Sequence, residues 1–502
     1  MLHLAPTVTY MSTMTPARHP GHSGQSGRPA PRARLISGRL ALALMSSFGA
    51  LTSFYLLLSV TPMYAVSAGA GSAEAGVVTG SLMLATVAAE FASARLMRRY
   101  GYRAVFAAGA LLLGGPALAL LGPHSVVMIV AVSIARGLGF GLNTVVIGAL
   151  VATALPPERR GEGIGVAGVV ACVPAIVALP SGVWLAGNAG YPVVIAITAV
   201  SALVPLAAVQ WLAGPARRQE ADPGAAQPAG LLASLRSGGQ LRPSLVFAAT
   251  TVSAGVVAAF LPLAAGVSGG TAALGLFVQA VASTAGRWWA GRHGDRHGHA
   301  RLLIPGLLMA AAGMGFLIWV AAPAALMTGM CLFGIGFGIS QNATFALMID
   351  RAPVSGYGTA SALWNLAYDA GYGAGPAVFG VFVVYTGYPA AFALTGMLMV
   401  AALVPAVRDR AALAAGAGRA DHGHVPVRDR LRDQPERHLR ADDRPGTGLR
   451  LWHGQRAVEP GLRRRLRRRS RRVRRVRGLH RLPGGLRPHR YDHGRRAGAR
   501  RA

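Results

Sequence analysis

Lysine is absent from all 502 residues, and every basic side chain is one of 50 arginines or 14 histidines. Lysine codons are A-rich, so the absence points to GC-rich coding DNA. Only two cysteines occur, Cys172 and Cys331, both within apolar stretches, which excludes a disulfide framework or a cysteine-built metal site. Acidic residues number just 18, and charged residues make up 14% of the chain against 52% hydrophobic. A soluble globular enzyme needs more charge than that to cover its surface. Residues 1–39 are rich in Pro, Gly, Ser and Arg. They lack the apolar stretch and small-residue cleavage site of a secretory signal, and read as a disordered cytoplasmic leader with Met11 and Met14 as alternative starts.

The charge that is present is unevenly placed. Residues 1–407 hold 21 Arg and 9 acids, whereas 408–502 hold 29 Arg and 9 acids. Without its last fifth the chain is a long apolar body. Stretches of the ~20 apolar residues needed to cross a bilayer fall at 41–66, 74–97, 103–121, 125–153, 162–186 and 192–213. Six more fall at 243–265, 271–291, 302–320, 324–349, 358–384 and 388–407. Arginine tests this division independently. The connections at 1–39, 95–103, 155–163, 214–242, 292–301 and 350–357 all contain Arg, and the alternate connections contain none. Positively charged connections stay in the cytoplasm, so the reading is a multi-pass plasma-membrane protein with both termini cytoplasmic.

An internal repeat accompanies the twelve spans. Gly137, Gly139 and Gly141 recur as Gly334, Gly336 and Gly338, an offset of 197. The same offset carries Arg99-Tyr100-Gly101 onto Arg296-His297-Gly298, Pro156 onto Pro353, and Gly190-Tyr191-Pro192 onto Gly387-Tyr388-Pro389. The predicted fold is therefore an all-α membrane protein of two six-helix pseudo-repeats. Its halves occupy 40–213 and 243–407, joined by a cytoplasmic linker at 214–242. Parallel repeats of this kind suit alternating access around a site at their interface. The glycine strings follow no strand, which argues against a dinucleotide loop, and small residues let membrane helices approach closely.

These residues resemble the major facilitator superfamily of secondary transporters, in its drug- or sugar-efflux-like form, over 41–407. The family's Gly-x-x-x-Asp-Arg-x-Gly gate motif is intact between spans 8 and 9 as Gly291, Asp295, Arg296 and Gly298. Between spans 2 and 3 it reads Ala94, Arg98, Arg99 and Gly101, with Arg at the acidic position. The resemblance implies that Asp295 helps latch the cytoplasmic gate and that the first half closes by other contacts. It also matches Arg136 to the family's fourth-helix arginine, and Pro180-Ser181-Gly182 loosely to the fifth-helix motif of drug antiporters. His293, His297 and His299 fall inside the gate motif with Asp295 as their sole carboxylate companion, so no metal or other cofactor is expected.

The basic tail has its own explanation. Arg463–Arg477 would suit nucleic acid or anionic lipid, but the run carries no interleaved aromatics and no periodicity. Reading the DNA for 322–408 one base early reproduces 416–502 at an offset of 94, with His422 and Asp492 as single-base misfits. Trp364 must end in G, for example, so Asn365 becomes a Glu codon, and Glu459 stands there. Within the basic tail at 408–502, residues 416–502 are thus expected to be an out-of-frame copy, disordered and without a specific nucleic-acid partner. The nucleotide sequence tests this, because the bases for the two segments must repeat.

Ionisable residues inside membrane spans are functional candidates. Four qualify: Glu90, Arg136, Arg287 and Asp369. At ~1.5 Å per residue, Arg136 and Asp369 lie roughly 15 Å deep, near the midplane, and Glu90 lies roughly 10 Å from the cytoplasmic end. The offset of 197 maps Glu90 onto Arg287, so the halves differ in sign at one matched position. Polar and aromatic residues cluster nearby in sequence: Gln341, Asn342, Trp364, Asn365, Tyr368 and Tyr372. Asn365 and Asp369 share a helix face, where Asn365 and Tyr368 could hold Asp369, and Arg136 could face it. No paired constellation for enzymatic catalysis occurs in any span.

The expected function is proton-coupled export of a small organic molecule by alternating access, with Asp369 as the coupling carboxylate and Glu90 as its rival. Uptake of a small solute is the alternative. A membrane-anchored nucleic-acid-binding protein, acting through the arginine-rich tail, is the alternative from another class. The partners expected are the substrate, protons and the lipid bilayer.

Overall fold

A computed structural model describes residues 38–122, 125–154, 160–208, 238–264, 266–353 and 356–420. Most of the leader, most of the linker and all of 421–502, including most of the out-of-frame segment, lie outside the described residues. Among those described, the chain is helical apart from short connections.

The first span is α1 (Gly38–Leu58) continued by α2 (Val60–Ser67). The second and third spans form one helical run, α3 (Ser72–Gly114), broken at Gly101. There follow α4 (Val126–Ala154), α5 (Arg160–Asn188) and α6 (Tyr191–Leu203), the last extended by a 3-10 turn to Ala208. The second half repeats the order with α7 (Gly238–Phe260), α8 (Gly269–His297), α9 (Leu303–Phe316) and α10 (Pro323–Arg351). Spans 11 and 12 form α11 (Tyr357–Ala401), broken at Gly387, and α12 (Leu403–Ala420) follows.

Eight of these segments are long and apolar enough to cross a membrane by length and composition. Two of the eight, Ser72–Leu121 and Tyr357–Ala412, contain the breaks and cross twice. Tyr191–Ala207 is slightly short by the same measure, and α8 carries too many polar residues near its end. Counting both gives the twelve spans.

The repeat extends to backbone geometry. Positive φ among the described residues occurs at Gly69, Gly101, Gly190, Gly266, Gly298 and Gly387, which form three pairs separated by 197. At Gly101 (φ 81°) and Gly387 (φ 73°) a helix turns back on itself, in a conformation that a side chain would strain.

Packing repeats too. A Cβ on Gly137 would strike the Leu82 carbonyl, and one on Gly334 the Gln279 carbonyl, 197 residues later. Gly141 and Gly338 meet the carbonyls of Thr86 and Ser283 in the same relation. Backbone contact without an intervening side chain is how helices pack in lipid, where hydrophobic driving force between helices is missing.

Within the first half α3 packs on α4, and α1 on α5 and α6; within the second, α8 and α9 pack on α10, and α7 on α11. The halves meet along α3 with α11 and α5 with α8. Span 2 touches span 11 backbone to backbone where Gly380 meets Ser72 and Gly76 meets Pro376, with Gly373 against Met83 further in. These contacts run toward the end whose connections lack arginine.

At the arginine-bearing end, helix α12 carries the ordered chain through position 408. Asp409 is 2% exposed and forms a two-pronged ion pair with Arg351 at the end of α10, at 2.8 and 2.6 Å. Arg351 also donates to the Gly239 carbonyl at 2.8 Å, tying α7, α10 and α12 together.

Candidate functional site

A small cavity of about 60 Å³ lies between the halves. Its walls come from α1 (Tyr55), α5 (Cys172), α7, α8 (Gln279, Arg287), α10 (Gln341) and α11 (Tyr368, Tyr372). The volume holds roughly four waters. Tyr368 and Tyr372 stack at 5.4 Å, as residues four apart on one helix do, and Tyr368 hydrogen-bonds Tyr55 across the interface. Arg287 donates to Gln341 Oε1, while its Nε is buried without a partner.

The matched position in the first half is built differently. Thr144 lies 3.5 Å from Glu90 Oε1, at the outer limit of a hydrogen bond. Adding 197 to both residues gives Arg287 and Gln341, so the helix pair presents the same two positions with different chemistry. Glu90 then reaches across to span 11, where its side chain hydrogen-bonds Asp369. An ionised carboxylate only accepts hydrogen bonds. A bond between two carboxyls therefore needs one proton held between them.

The structure brings together Glu90 with Asp369, and Gln341 with Tyr368. It separates others. Arg136 is 1% exposed and is engaged by backbone, donating to the carbonyls of Leu113 at 2.8 Å and Ser53 at 2.9 Å. Its Nε has no partner, and it is not a wall of the cavity. Trp364 lies inside the second half, stacked on Phe247 at 4.3 Å, with its indole N–H on Thr344 at 3.1 Å. Asn365 is 4% exposed on the same helix as Asp369. Asn342 sits beside Gly291 of the gate motif, with its buried Oδ1 unpaired.

In the gate motif itself, Gly298 caps α8 with φ 89°, and Asp295 lies 3.7 Å from His299, one turn further on. His293 stacks on Trp289 and His297, an arrangement of rings rather than of converging ligands. Arg98 and Arg99 are exposed, and Arg99 lies over the Tyr100 ring.

Sequence reasoning missed Tyr55, Cys172, Gln279 and Thr144. A usable signal existed for two of them. The offset of 197 maps Gln341 back onto Thr144 and Asp369 back onto Cys172. Tyr55 and Gln279 carry no charge and no motif, so only the fold reveals them.

A family model described as the Major Facilitator Superfamily matches residues 43–376 and 244–440. Among solved structures, the fold is similar to that of the nucleoside transporter NupG, in a mutant form, at 14% identity and a TM-score of 0.60. That match covers 74% of this chain and 99% of the other. The xylose transporter XylE from E. coli, in an inward-open conformation, is similar at 17% identity and a TM-score of 0.58, covering 73% of this chain and 95% of that one. A D-xylose-proton symporter is similar at 18% identity and 0.56, covering 72% and 97%. At such identities the likeness is one of fold. No curated protein matches the chain by sequence.

Proposed function

The chain belongs to the major facilitator superfamily, and on that premise we propose that this secondary transporter exports a small organic molecule in exchange for protons. We place it in the plasma membrane, with both termini in the cytoplasm as the arginine alternation argues. The observation that carries the coupling is the Glu90–Asp369 carboxyl pair, which joins span 2 of one half to span 11 of the other.

These two spans also make the backbone contacts toward the arginine-free end. With one proton shared, the pair helps hold the spans together and the outer side closed. When the proton leaves, two negative charges remain. At ~4 Å and an effective dielectric of ~20 they repel by roughly 4 kcal/mol, enough to move a balanced two-state equilibrium. The halves then part on the outer side. A proton arriving from outside restores the pair and closes that side again. Substrate entering from the cytoplasm releases it inward. One proton thus moves in as one substrate moves out.

The likeness to a protein described as a D-xylose-proton symporter favours a second reading, uptake through the same pair with proton and solute moving together. Export is tested by expressing the protein in an efflux-deficient bacterial host and screening toxic compounds. Tolerance should rise for at least one compound, and Asp369→Asn should remove the gain at equal expression. Increased sensitivity instead would select uptake. Proton-driven flux of the identified substrate at wild-type rate in both Asp369→Asn and Glu90→Gln would defeat the coupling assignment.

A further inference from the structure

The proton pathway leaves Arg287 without a task. Its guanidinium lines the cavity between the halves, one nitrogen on Gln341 and Nε buried and unpaired. No Asp or Glu stands among the described cavity walls, and no described ion pair includes Arg287. The acid at the matched position, Glu90, is engaged with Asp369. Arg287 is half-buried, and the cavity wall it occupies offers its charge neutral donors and acceptors only. An anionic group entering the cavity would find one positive charge and no competing carboxylate.

We propose that Arg287 anchors the substrate, and that the substrate is a small organic monoanion, a carboxylate on a flat unsaturated body. A single guanidinium matches one carboxylate, and its planar fork fits the two oxygens. A phosphate dianion would bring a second charge with no second cation to meet it. The stacked Tyr368 and Tyr372 rings and the Tyr55 ring supply flat faces for the rest of the molecule. At about 60 Å³ the space takes the carboxylate end, and the flat body must part the walls as the halves move.

The inference rests on the cavity between the halves being the substrate site. Its test therefore uses binding without any proton gradient. Purified protein in nanodiscs at fixed pH is titrated with benzoate and acetate, and with their uncharged counterparts benzamide and acetamide. Benzoate should raise the melting temperature saturably, and benzamide should not. Arg287→Gln should weaken benzoate at least tenfold, and Arg287→Lys should retain part of the affinity. Equal effects of acid and amide, no response to either acid, or unchanged benzoate affinity in Arg287→Gln would overturn the assignment.

Should Arg287→Gln fail to fold, Cys172 reports on the same cavity. In a Cys331→Ser background, a sulfonate-bearing methanethiosulfonate should modify Cys172 faster than a trimethylammonium one, each normalised to free cysteine. Benzoate should slow that reaction at least fivefold. Preference for the cationic reagent would overturn the proposal. Loss of proton coupling in Asp369→Asn with benzoate binding intact would separate this site from the proton pair.

Discussion

The two halves place their positive-φ glycines at matched positions, yet at positions 90 and 287 they carry opposite charges. Around that pair the surroundings diverge in step. Glu90 has Thr144 beside it and Asp369 across the interface, whereas Arg287 has Gln341 and an unoccupied donor. Duplication set the framework, because six spans packed through small residues tolerate little backbone change. Function then parted the halves where side chains face the interface and backbone packing imposes nothing. In this reading the carboxyl pair that bridges the halves carries the proton, and Arg287 of the second half holds the cargo.

The largest expected effect comes from removing the proton from that division of labour. Asp369→Asn and Glu90→Gln should each abolish proton-driven net transport in liposomes with an imposed pH gradient. Substrate exchange without a gradient should persist in both. Exchange lost together with net transport would mean that the pair also binds cargo, and the contrast with Arg287 would collapse.

A second contrast lies at the arginine-bearing ends. The second half closes its end with the buried Arg351–Asp409 pair. Positions 197 earlier are Ala154 and Leu212, so the first half has no such lock in its sequence. Asp409→Asn should leave Arg351 inside with its main partner gone, destabilising the protein by about 3 kcal/mol. A clear fall in melting temperature in nanodiscs checks this, and an unchanged value would make the pair incidental.

Smaller is the effect expected in the gate motifs. Asp295→Asn should slow transport by roughly fivefold, equivalent to about 1 kcal/mol, since Asp295 is partly exposed and its interactions are screened. Arg98→Asp should change the rate less, because the first copy already lacks its acid. Equal losses would show that the motifs have not diverged. Deleting 416–502 should have the least effect of all, leaving membrane insertion and transport unchanged. A loss of transport there would restore a role for the basic tail.

Hydropathy, arginine placement and the offset of 197 determined the twelve crossings and the pairing of the halves. Lipid imposes that legibility, because each crossing must bury its own backbone hydrogen bonds and arginine stays at one face. Even α8, whose polar end sets it apart from the other crossings, reads as an apolar stretch at 271–291 and matches span 2 at the offset of 197. The buried charges were legible for the same reason, since an ion inside a span is visible in any sequence. Their partners were not. Glu90 and Asp369 are 279 residues apart and meet only because α3 packs against α11. Arg136 read as facing the carboxylate at mid-depth, and its hydrogen bonds go instead to two carbonyls of neighbouring helices. Trp364 and Tyr368 share a stripe on one helix, yet one packs into the second half and the other lines the cavity. Depth and helix face are properties of a single helix and follow from spacing. Which neighbour occupies that face depends on how the helices rotate and tilt against each other, which backbone contacts at glycine set in three dimensions.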